Sequence, residues 1–210
     1  MLGSILDRGL LELPPQEVAP YLLGKVLVAA HLAGRIVEVE AYLGPHSPTP
    51  DPAAHAHRGP TPRNAVLFGP AGHAYVYSIY GRYFCMNVSC ESVGLAGCVL
   101  IRALEPLAGM EKMAANRGLP PGSQPQQLTS GPSRLCQAFG LDRATHNSLD
   151  LLVASSPLQL RDDGFPVTQL LVTPRIGIRQ AVALPLRFAL HGNPCVSGPK
   201  SLNRKLVFLG

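Results

Sequence analysis

The chain predicts a mixed α/β (α+β) fold: a single domain on a mostly antiparallel β-sheet, with peripheral helices. Three observations predict it. Its 210 residues suit one hydrophobic core. The stretches HAYVYSIY (73–80), YFCMNVSC (83–90) and AGCVLIRAL (96–104) read as strands, and they are close enough in sequence to pair antiparallel. Neither a βαβ rhythm nor a glycine fingerprint is present, which disfavours a doubly wound nucleotide fold.

Taken in order, PPQEVAPYLLG (14–24) predicts a short helix stopped by glycine. Lys25 to His31 and Arg35 to Tyr42 predict a β-hairpin that turns near Gly34. Residues 44–63 hold six prolines and predict a long irregular loop, of the kind that is functional or mobile. The three strands follow. PLAGMEKMAANRG (106–118) opens with Pro106 and closes with Gly118, which predicts a helix. Residues 119–131 read as a linker, and PSRLCQAFG (132–140) as another short helix. The remainder gives short strands, including LRFAL (186–190).

Composition narrows the function. The chain is 46% hydrophobic and 15% charged, so it is not disordered. It has no apolar run near the roughly 20 residues of a membrane helix and no signal-like cleavage pattern, which predicts a cytoplasmic protein. Five cysteines without a CxxC pair argue against a disulfide framework or zinc ribbon and predict buried thiols. Charge is uneven: residues 1–105 hold 7 Lys/Arg and 8 Asp/Glu, whereas residues 106–210 hold 11 and 5. Six cations and no acid lie from residue 171 onward. An arginine-rich basic half suits a polyanion such as nucleic acid, or reflects ordinary solubility charge.

In RIVEVEAYLGP (35–45), strand alternation puts Ile36, Glu38, Glu40 and Tyr42 on one face and Val37, Val39 and Ala41 on the other. Glu38 and Glu40 would stand about 6.6 Å apart at Cα, a separation that also suits a glycosidase carboxylate pair. The plainer alternative is a pair of carboxylates solvated or bound by Arg35 and Arg102. Four of the six tyrosines fall at 75, 77, 80 and 83. Tyr75 and Tyr77 share a strand face, and Tyr80 falls opposite, beside Gly81. Such rings pack across a sheet, or stack on bases in a basic protein. His46, His55 and His57 fit no standard zinc spacing.

Side by side, LLGKVLV (22–28), GRIVEVEAYLGP (34–45), AAHAHRGPTPRN (53–64), GHAYVYSIYGRYFCMNV (72–88), VLIRALEPLAG (99–109), SGPSRLCQAFG (130–140), PRIGI (174–178) and PLRFALHGNPCVS (185–197) resemble the alkyladenine (methylpurine, 3-methyladenine) DNA glycosylase family. They occur in order over nearly all of residues 20–200. The resemblance implies one domain around a curved sheet. It implies a monofunctional base-excision enzyme that flips alkylated, deaminated or etheno purines out of double-stranded DNA and hydrolyses the N-glycosidic bond.

By the same resemblance, Glu40 is the general base that activates water and Arg102 helps hold that water. Tyr42, His55 and Tyr77 enclose the flipped base, and Asn87 disfavours guanine through its amino group. Tyr80 is the wedge that fills the gap in the duplex, and Glu38 is structural. No metal or organic cofactor and no membrane are implied; the default state is a monomer, associated with the nucleoid in a prokaryote. Arg82, where the family usually carries an apolar residue, is placed to reach a phosphate or to weaken packing of the wedge. The loop at 46–51 is longer than the family pattern. A non-catalytic binder of damaged DNA and an O-glycoside hydrolase using Glu38 and Glu40 are the alternatives.

Overall fold

The computed structural model describes residues 3–204, 207 and 208. Strand β1 (Ser4–Ile5) leads to helix α1 (Pro15–Leu22), which Pro15 opens and which ends just before Gly24 at φ 79°. Strands β2 (Val26–Ala29) and β3 (Leu32–Tyr42) form the expected hairpin, but its turn is at Ala30 and His31, with Ala30 at φ 50°. Gly34 lies inside β3 rather than at the turn. A Cβ there would come within 3.0 Å of the Leu104 Cβ, so this glycine serves close packing between strands.

β4 (Ala74–Ile79), β5 (Tyr83–Cys90) and β6 (Gly97–Ala108) form the predicted antiparallel run. β6 is longer than expected. Pro106, read as a helix start, pairs with Gly34 at a slip in the β3–β6 register, where a missing N–H is tolerated. Helix α2 (Met110–Asn116) therefore begins only after Gly109, at φ 78°. The expected linker at 119–131 contains a helix, α3 (Pro125–Thr129), closed at its start by a reciprocal Gln124–Gln127 capping box. Helix α4 (Pro132–Phe139) matches its prediction and ends on Gly140 at φ 69°. Helix α5 (Arg143–His146) and strands β7 (Leu158–Asp162), β8 (Gln169–Thr173), β9 (Arg187–Leu190) and β10 (Val207–Phe208) follow.

The sheet runs β1-β7-β2-β3-β6-β5-β4, with β9 also on β3, β8 on β9 and β10 on β8. β3 organises it. One edge of β3 pairs with β6 along most of its length; the other pairs with β2 at residues 32–35 and with β9 at 38–40. The sheet branches at residues 36–38, where the β3–β6 register shifts, and it curls into an antiparallel half-barrel.

Alternation then separates two faces. Val37, Val39 and Ala41 of β3, Ala74 and Val76 of β4, Met86 and Val88 of β5, and Val99 and Ile101 of β6 all enter the main core. Ile36 joins that core too, rather than the carboxylate face, at the point where the register shifts. The opposite face carries a smaller apolar cluster that includes Tyr75 and Cys98, with Tyr42 and Tyr77 packed against it.

The five cysteines are unpaired and buried, as expected. No helix among the described residues is long and apolar enough to cross a membrane. Of the six cations from residue 171 onward, Lys205 and the Arg204 side chain lie outside the described residues.

Candidate active site

The second sheet face floors a cavity of ≈ 570 Å³. Tyr42, His55, Tyr77, Asn87 and Arg102, all singled out from sequence, line it, and Tyr80 stands at its rim. Four strands contribute: Tyr42 from β3, Tyr77 from β4, Asn87 from β5 and Arg102 from β6. His55 comes from the irregular segment between β3 and β4.

Glu38 and Glu40 project to the same side, and both are fully buried. Arg102 joins them: its Nε donates to Glu38 Oε1 at 2.9 Å, and Nη1 lies 3.2 Å from Glu40 Oε1. Arg35, the other expected partner, pairs instead with Asp163. Glu38 also accepts from Arg187 Nε at 2.7 Å and from the Ser197 N–H at 2.6 Å. Glu40 has a single guanidinium, the Ile176 N–H on Oε1 at 2.7 Å and the Tyr42 hydroxyl on Oε2 at 3.0 Å.

This difference sets the two carboxyls apart. Burial raises both pKa values, but Arg102 and Arg187 together pull Glu38 below its ordinary value. For Glu40 burial wins over Arg102, the Ile176 N–H and the Tyr42 hydroxyl, and its pKa is raised. Glu40 does not itself line the cavity. It lies behind Tyr42, Arg102 and Ile176, which do.

Two connections that sequence reasoning missed hold these groups. Arg175 forms a buried two-pronged pair with Asp51, both contacts at 2.7 Å, and its guanidinium lies 4.5 Å from the centre of the Tyr42 ring. Asp51 also accepts from the Leu43 and Ala53 N–H groups. The pair thus ties the segment that carries His55 to the one that carries Ile176. Both residues sit in sequence that reads as irregular, so no periodicity marks them. On the far wall, His55 Nδ1 shares a 2.9 Å hydrogen bond with the Tyr75 hydroxyl, and its ring meets Tyr77 edge-on at 4.6 Å. Burial, then Arg63, lowers the His55 pKa, which favours the neutral imidazole. Asn87 Nδ2 donates to the Tyr75 carbonyl at 3.3 Å.

Tyr80 occupies the β4–β5 turn and is 91% exposed. Its φ of 49° is strained for a bulky residue, and Gly81 follows at φ 73°. Arg82 is exposed and lies 4.8 Å from the Tyr83 ring centre, beside the turn rather than on Tyr80.

A protein-family model described as methylpurine-DNA glycosylase matches residues 10–194. A protein of Koribacter versatilis is 51% identical over 201 residues, which cover 94% of this chain and 95% of the relative. One from Burkholderia lata is 49% identical over 94% of this chain and 93% of its own length. One from Rhodopseudomonas palustris is 45% identical over 94% and 90%. All three are described as candidate 3-methyladenine DNA glycosylases.

Proposed function

Because the chain belongs to the methylpurine-DNA glycosylase family and is a DNA glycosylase, we propose that it flips a damaged purine from duplex DNA into this cavity and hydrolyses the N-glycosidic bond there. The observation that carries the proposal is the Glu40 carboxylate. It is buried behind Tyr42 and Arg102, which line an aromatic-walled cavity with the exposed Tyr80 at its rim.

Glu40 acts as general base and Arg102 steadies the attacking water. Of the three groups on Glu40, the Tyr42 hydroxyl is the one a water can replace. The Ile176 N–H is fixed by the backbone, and Arg102 is fixed by Glu38. The anionic carboxylate also stabilises positive charge as it grows on the sugar ring. A purine methylated at N3 or N7 is already cationic and leaves readily. Hypoxanthine and ethenoadenine are the neutral lesions within reach of the same site. With water as nucleophile, the product is an abasic site with the strand intact.

Because Glu40 must be ionised, base release falls as pH drops through its pKa, which lies above the ordinary carboxylate value. Tyr42→Phe keeps the ring but removes a hydrogen bond to the charged form. This variant is expected to move the acidic limb of the kcat/KM profile, which reports the free protein, up by about half to one unit. An unmoved limb would separate Tyr42 from the titrating base.

Tyr80 is the wedge. Tyr80→Gly relieves its positive φ, so thermal stability is expected to rise by about 0.5–1 kcal/mol. Flipping is expected to fail at the same time. Ethenoadenine fluoresces weakly when stacked, so its brightening on binding reports extrusion. Wild-type protein brightens the lesion and the Tyr80→Gly protein does not. Equal brightening by both would count against the wedge.

A further inference from the structure

Both tyrosines that face the proposed base site carry an arginine. The Arg175 guanidinium lies 4.5 Å from the Tyr42 ring centre, and the Arg63 guanidinium 5.3 Å from that of Tyr77. A ring that already holds a cation on one face attracts a second cation less well. The arginines differ in their compensation. Arg175 is paired with Asp51, and Arg102 with Glu38 and Glu40. Arg63 forms none of the ion pairs found among the described residues, yet it lines the cavity. The three carboxylates around the site are therefore already taken up by guanidiniums, and Arg63 adds a positive charge that no neighbour cancels. Its charge is felt by the neighbouring His55, which meets the same Tyr77 ring edge-on: after burial, Arg63 is the second cause of the lowered His55 pKa.

We propose that Arg63 is a lesion-charge filter: its uncompensated guanidinium on the Tyr77 ring makes the cavity receive neutral purine lesions more readily than cationic ones. This rests on the glycosylase reading above and adds the substrate class that the cavity favours. Neutral and cationic purines both stack between the rings, and only the cationic base meets Coulombic repulsion from Arg63. Over about 8 Å of partly screened surroundings that repulsion corresponds to about a threefold to tenfold difference in affinity. Cationic lesions still turn over, because their weaker glycosidic bonds offset weaker binding.

The test uses full-length wild-type, Arg63→Gln and Arg63→Lys proteins. Single-turnover base release is followed against enzyme concentration on duplexes carrying hypoxanthine or 7-methylguanine, at two salt concentrations. The quantity read is the change in the ratio of half-saturating concentrations for the two lesions, so that the 2-amino group of guanine cancels. Arg63 is exposed, so both variants are expected to fold. The filter predicts that Arg63→Gln improves 7-methylguanine relative to hypoxanthine by about threefold to tenfold, with an unchanged salt slope, and that Arg63→Lys stays near wild type. Equal weakening of both lesions with a salt slope lower by about one would make Arg63 a phosphate contact and overturn the filter. An unchanged ratio would overturn it as well. Absence of release from both lesions by the wild type would overturn the glycosylase reading itself, and the filter with it.

Discussion

Arg175→Met is expected to destabilise the protein by about 3–5 kcal/mol, the largest stability effect predicted from this structure. Arg175 and Asp51 are both fully out of water. Removing the guanidinium leaves the Asp51 carboxylate buried with only the Leu43 and Ala53 N–H groups as donors. Methionine restores much of the volume but none of the charge. For a chain of this length the loss corresponds to a fall in Tm of about 10 °C. The double variant Asp51→Asn, Arg175→Met removes both charges and is expected to recover a large part of the loss, because an uncompensated buried charge costs more than an absent pair. Urea unfolding of the two single variants and the double variant measures this. Equal stability of Arg175→Met and wild type would show that the pair does not anchor the two segments.

Glu40→Gln is expected to lower single-turnover base release by about 10²–10⁴-fold. The amide is nearly isosteric. It still accepts from the Ile176 N–H and still meets Tyr42, so the cavity keeps its shape. On the mechanism proposed above, what is lost is the acceptor for the water proton and the negative charge opposite the developing sugar cation. Affinity for a lesion duplex is expected to stay within about threefold of wild type, since the carboxylate does not line the cavity. Glu38→Gln is the control. Glu38 is engaged by Arg102, Arg187 and the Ser197 N–H, and acts by holding Arg102. A full carboxylate pair of the O-glycosidase kind would instead need both residues in contact with substrate.

The functional face was legible because strand periodicity is local. Glu38, Glu40 and Tyr42 alternate with Val37, Val39 and Ala41, and the structure separates them onto the two faces of β3. Tyr75 and Tyr77 share a face for the same reason, and Tyr80 leaves it because the chain turns there. Strand β5 was found to the residue, bounded by the turn and a polar stretch. The misses have physical causes. Pro106 and Gly34 each look like punctuation, yet they meet across one irregular point of the β3–β6 pairing, where small size and a missing donor are useful. Helix α3 is stapled by glutamines, whose capping role is not marked by composition.

Asp51 and Arg175 are charged residues in stretches without pattern, Arg187 opens the short strand expected at 186–190, and the importance of all three comes from long-range pairing. Arg175 meets Asp51 across 124 positions, and Arg187 meets Glu38 across 149. Within β3, Glu38, Glu40 and Tyr42 share one face, as the alternation predicts. Tyr42 and Arg102 form the wall, and Glu40 lies behind them.

The most direct measurement of the central claim is single-turnover incubation of the protein with duplex oligonucleotides carrying one hypoxanthine, one ethenoadenine or one alkylated purine, with abasic sites revealed by alkali. The wild-type protein is expected to give alkali-dependent cleavage at the lesion position with intact strands before alkali, and Glu40→Gln to give it about 10²–10⁴-fold more slowly. Tight, salt-sensitive binding of the same duplexes with no abasic site from any lesion would contradict the claim, and would leave a protein that holds damaged DNA without cutting the base free.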